Sequence, residues 1–68
     1  MGEKLDDARR KLRWAIERAI LTRGRPLIIS IRDLHQLYGG PPIPLAGQAV
    51  KTLSMPGVTY EQGKVVVR

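Results

Sequence analysis

Gln48 and Lys51 are the side chains whose types and spacing best suit recognition chemistry. Three residues apart, they share one side of a helix. Gln48 carries both a donor and an acceptor and can pair with an adenine edge, and Lys51 can reach a phosphate or a guanine edge. Gly47 has no side chain, which lets a helix backbone approach a duplex closely. Thr52 and Ser54 add short hydroxyls suited to phosphate contacts. The chemistry implied is non-covalent recognition of a polyanion. A plain solvated helix face is the competing reading of the same residues.

Bond-making chemistry finds no comparable set. Asp33 and His35 are two apart, so on a helix they do not face each other and form no dyad. No Ser, His and acid are spaced for nucleophilic catalysis. The glycines from Gly40 to Gly47 are not followed by Lys-Ser/Thr, so they make no phosphate loop. With no Cys, neither a disulfide framework nor a thiolate zinc site is available, and one His is too few for an imidazole site. The chain is therefore expected to be no enzyme and to carry no metal or cofactor. Pro41-Pro42-Ile43-Pro44 contains a PxxP pattern, which here fits the fixing of an angle between two helices better than partner recruitment.

Charge points the same way as Gln48 and Lys51. Twelve Lys and Arg against six Asp and Glu give a net charge of +6 and a pI near 10.6. Such a balance speeds encounter with polyanions. Much of it lies on the first helix and its exit, at Arg9, Arg10, Lys11, Arg13, Arg18, Arg23 and Arg25. A solubility charge on a small protein, or a basic face that meets an acidic protein, is the lesser alternative.

The elements that must position these groups are legible in the patterning. Sixty-eight residues allow one domain, spanning 1–68, that buries only about 60% of its unfolded surface. Leu5, Ala8, Leu12, Ile16, Ala19 and Ile20 follow the spacing of one buried stripe and predict a helix over 3–23, stopped by Gly24 and Pro26. Leu27-Ile28-Ile29 predicts a short strand. Ser30 predicts a helix cap, with Asp33 three residues on, for a helix over 31–38 that buries Ile31, Leu34, Leu37 and Tyr38. Gly39 ends it. After a Gly-Pro-rich connector, Pro44 suits the first turn of a helix over 44–55. Leu45, Ala46, Ala49, Val50 and Leu53 face inward there, and Pro44, Gly47, Gln48, Lys51 and Ser54 outward. Val58 to Arg68 predicts a hairpin turning at Gln62-Gly63. Its register sets Glu61 opposite Lys64 as a salt pair, Tyr60 opposite Val65 and Val58 opposite Val67, with Tyr60, Val65, Val58 and Val67 toward the core.

Helix, short strand, helix, helix, β-hairpin is an α+β layout, and over the whole chain it resembles the winged helix-turn-helix family. The resemblance rests on element order and patterning. It implies that the helix over 44–55 enters the DNA major groove and that the hairpin over 58–68, with Lys64 and Arg68, touches the flanking backbone as a wing. The function implied is a double-stranded-DNA-binding transcriptional regulator or architectural protein, with RNA not excluded as a partner. Two features depart from the pattern: a connector longer than the common three-to-four-residue turn, and a wing that is nearly neutral because Glu61 offsets Lys64.

Trp14 and Leu21 fall outside the buried stripe and project together from the opposite side of the first helix. Arg10, Arg13 and Arg18 flank Trp14. This second face suits a homodimer seam, a partner surface of a protein-interaction module, or a site covered by the chain's own end, and with these arginines it can itself bind a polyanion or an acidic partner. No apolar run approaches the roughly 20 residues of a membrane span, and no apolar segment follows a basic one at the start. No membrane partner is expected, and localisation is expected to be cytoplasmic.

Overall fold

The computed structural model describes residues 2–53 and 55–68; Met1 and Ser54 lie outside them. The elements run α1 (Gly2–Arg23), β1 (Leu27–Ser30), α2 (Ile31–Tyr38), α3 (Ile43–Thr52), β2 (Val58–Glu61) and β3 (Lys64–Val67). The three strands form one antiparallel sheet in the order β1-β3-β2. This is an α+β domain with three helices laid against a small sheet.

α1 is the spine. Its inner stripe of Ala8, Leu12, Ala15, Ile16 and Ala19 is at most 1% exposed, with Leu5 and Ile20 partly buried beside it. Ala15 joins the stripe that the spacing had outlined. α1 packs most extensively on α3, which turns Ala46, Ala49 and Val50 into the core. Alanines on both buried faces keep side-chain bulk low where the two helices meet, which favours close packing. Gly24 closes α1 by donating its N–H to the Ile20 carbonyl at 2.7 Å.

β1 runs directly into α2, and Ser30 serves both. It is the last strand residue, and its hydroxyl oxygen accepts the Asp33 N–H at 3.1 Å. That bond satisfies one of the donors a helix start leaves orphaned. Gly39 then ends α2 at φ +71°, a left-handed conformation that disfavours a side chain. Ile31 and Leu34 are buried and Tyr38 is partly so, but Leu37 is 61% exposed. Leu37 stands about 100° around the helix from Tyr38, at the margin of an eight-residue element, and the expectation that it is buried is corrected. The connector does more than set an angle, because Pro41 is among the fully buried side chains.

α3 begins at Ile43 and ends at Thr52, so the expected span of 44–55 starts one residue late and runs three too far. Leu53 is already extended at φ −77°, ψ 129°. Pro56 disfavours helix at the residue before it, and the chain must be extended by Val58 to enter β2.

The hairpin has the register that the turn dictates: Glu61 opposite Lys64, Tyr60 opposite Val65, Thr59 opposite Val66 and Val58 opposite Val67. Gln62 and Gly63 both have positive φ, at 50° and 75°, as a type I′ turn requires. Val65 and Val67 are fully buried, and Val58 and Tyr60 pack against the core. One detail is corrected: the ion pairs among the described residues are both on α1, Arg9–Asp6 and Lys11–Asp7, and Glu61 and Lys64 do not close one. β3 lies centrally, pairing β1 from Leu27 opposite Val67 to Ser30 opposite Lys64. Gly63 accepts the Ile31 N–H at 3.0 Å, which ties the hairpin tip to the start of α2. Among the described residues, no helix is long and apolar enough to cross a membrane.

Candidate nucleic-acid interface

The outward side of α3 is narrow. Pro44, Gln48 and Lys51 are exposed, within about 60° of one another around the helix, directly opposite the buried Ala46, Ala49 and Val50. Gln48 and Lys51 thus stand side by side on an element whose other side is locked into the core. Lys51 lies in the last turn, where a cation suits the helix dipole.

The neighbouring positions are less available. Gly47 faces the ring of Tyr60: a Cβ there would lie 3.5 Å from the phenolic oxygen. That is ordinary van der Waals contact, and the Tyr60 ring already covers this stretch of backbone from within the molecule. The Thr52 hydroxyl donates to the Gln48 carbonyl at 2.9 Å, with the Ala49 carbonyl at 3.3 Å. Its proton serves the helix's own backbone, and an incoming phosphate would compete for it. Ser54 lies outside the described residues.

Lys64 and Arg68 are both exposed but separated along the hairpin. Lys64 adjoins the turn and Arg68 follows the other end of β3, roughly 13 Å away along the strand. Arg68 is held in the ladder by its N–H to the Gly57 carbonyl at 3.0 Å. Between them, the outer sheet face carries Val66 with Ile28 and Thr59 as its cross-strand neighbours. The hairpin therefore offers two isolated cations and no basic stripe.

The dense charge is on α1, and its groups have distinct surroundings. Arg9 pairs with Asp6 and Lys11 with Asp7. The Arg18 guanidinium lies 4.7 Å from the Trp14 ring centroid. Arg23 sits over Tyr38 and donates from Nε to its hydroxyl at 3.2 Å. Of the three arginines expected around Trp14, only Arg18 stacks on it. Arg10 and Arg13 instead line a shallow concavity of about 360 Å³ with Asp6, Arg9 and Leu53, where α1 meets the C-terminal end of α3. The sequence set Arg10 and Arg13 beside Trp14, as a basic side able to bind a polyanion or an acidic partner; the fold groups them with Arg9 and Leu53 instead. Their spacing at 9, 10 and 13 on one flank of α1 was the available signal.

Trp14 is 52% and Leu21 87% exposed. They share a face by helical geometry, yet their surroundings differ. The edge of the Trp14 ring comes within 3.3 Å of where a Cβ on Gly39 would stand, so the ring leans on the end of α2. Leu21 borders Glu17, Ile20 and Arg25 at the exit of α1. His35 is exposed, with Nδ1 2.9 Å from the Gly40 carbonyl oxygen, which fastens α2 to the connector.

No family model matches this chain, and neither does any curated protein or solved structure.

Proposed function

We propose that this chain is a winged helix-turn-helix domain that binds double-stranded DNA, as a transcriptional regulator or an architectural protein. The observation that carries the reading is the outer side of α3: Gln48 and Lys51 stand exposed and adjacent on a helix whose opposite side is buried. A helix held in this way can be inserted into a groove without losing its own packing. The element order, the central β3 and the net charge of +6 support the reading. In it, Gln48 reads a base edge, Lys51 binds a phosphate or a guanine, and Lys64 and Arg68 contact the backbone on either side. Fluorescence anisotropy with duplex DNA at low and moderate salt tests it. Binding that weakens steeply as salt rises is the expected result; no binding at low salt removes the proposal. A duplex RNA competitor separates the two nucleic acids.

A second reading is favoured by the exposure of Trp14 and Leu21. Here the domain is a protein-interaction module, a small subunit of a larger complex, that uses this side of α1; in the DNA-binding reading the same side serves a homodimer. Sedimentation of the wild type against a Trp14→Ala, Leu21→Ala variant distinguishes the two. A change in association state with DNA affinity unaltered makes that face a separate interface. An unchanged monomer removes the homodimer.

A further inference from the structure

The concavity between α1 and the end of α3 is built differently from the rest of the charged surface. Among the described residues, three arginines, Arg9, Arg10 and Arg13, line it against one carboxylate, Asp6. Asp6 is already engaged with Arg9. Among the described residues, Arg10 and Arg13 close no ion pair and donate no side-chain hydrogen bond. Each guanidinium carries five N–H donors in a planar fork whose geometry matches two oxygens of a phosphate. Leu53 supplies an apolar wall. Two further arginines are occupied by aromatic rings, Arg18 by Trp14 and Arg23 by Tyr38. Arg10 and Arg13 are thus paired, exposed cations beside the end of α3, and Leu53 lies two residues beyond Lys51.

We infer that this concavity is a phosphate-binding site, formed by Arg10 and Arg13 with Arg9 oriented by Asp6, and that its occupant is a backbone phosphodiester of the duplex engaged by α3. The inference rests on the nucleic-acid reading of α3 and gives it a contact that neither α3 nor the hairpin supplies. A duplex whose groove holds the last turn of α3 has its phosphate rim beside that turn, where the arginines lie. Asp6 sets the sign of one test, because among the described residues it is the carboxylate that lines the site.

Two measurements decide it. In the first, inorganic pyrophosphate is titrated into the intact protein while the arginine Nε–H signals are followed by NMR, assigned through Arg10→Gln and Arg13→Gln. Saturable shifts at Arg10 and Arg13, larger than at Arg25 and Arg32, are expected. Uniform or absent shifts overturn the phosphate site. In the second, duplex DNA affinity is measured across a salt series. The Arg10→Gln, Arg13→Gln variant is expected to lower the slope of log affinity against log salt by about two units. Asp6→Asn is expected to tighten binding roughly two- to fivefold, more than Asp7→Asn, which removes the same charge from outside the concavity. Wild-type binding with an unchanged slope in the double variant overturns this inference and leaves the α3 reading standing. Pyrophosphate shifts without duplex binding keep the anion site and remove both the duplex as its occupant and the α3 reading.

Discussion

α1 and α3 are built alike on the inside and unlike on the outside. Both bury small residues, Ala8, Ala15 and Ala19 on α1 and Ala46 and Ala49 on α3, and the two helices make the most extensive packing contact in the molecule. Outside, α1 carries a crowd of arginines, and α3 carries Lys51 alone beside Gln48 and Pro44. The contrast suggests a division of labour. A dense field of cations gives sequence-independent attraction and salt dependence, whereas a narrow, nearly neutral face gives little attraction but a defined hydrogen-bond pattern. Under the proposed function, α1 supplies attraction and α3 discrimination. That assignment also accounts for a groove helix with a single cation.

The largest effect is expected where the two helices share a core. Leu12 has no exposed surface, and Leu12→Ala should cost about 3 kcal/mol, a large share of the margin of so small a domain; urea denaturation followed by circular dichroism reads it. Next is Gln48→Ala, which should erase about 2 kcal/mol of preference between a best and a mismatched duplex while leaving affinity for unrelated duplexes unchanged. A uniform loss across all sequences would dissolve the division between the helices. Gly39→Ala places a side chain at φ +71° and against the Trp14 ring, for a cost of about 1.5 kcal/mol, measured by thermal melting. Because the change lies away from the outer side of α3, DNA affinity of the folded fraction should stay the same. Smallest is Lys51→Ala, expected to lower the salt slope by about one unit, half the change expected from the paired arginines of α1.

Local chemistry explains what was legible in the sequence. The Ser30 cap, the Gly39 stop and the Gln62-Gly63 turn each depend on residues adjacent in the chain, and each was found where those residues placed it. The hairpin register followed, since a two-residue turn admits one pairing of Tyr60 with Val65. Features that depend on distant neighbours were not legible. Helical periodicity continues through Leu53, but the backbone straightens there to reach β2. Leu37 fits the apolar spacing of α2, yet its burial requires a neighbour that the short helix does not meet. Gly47 looked open in sequence, and only the fold brings Tyr60 across it. The arginine concavity depends on how α1 crosses the end of α3, for which the spacing of Arg9, Arg10 and Arg13 held only half the information.

In the proposed function, the outer side of α3 meets duplex DNA. Titration of the nitrogen-labelled protein with a short duplex, followed through backbone amides and the Gln48 side-chain amide, tests it most directly. The strongest shifts are expected at the Gln48 side chain and along residues 45–52, with a second set near Arg10 and Arg13. Shifts confined to the Trp14 and Leu21 side of α1, with Gln48 silent, would contradict it.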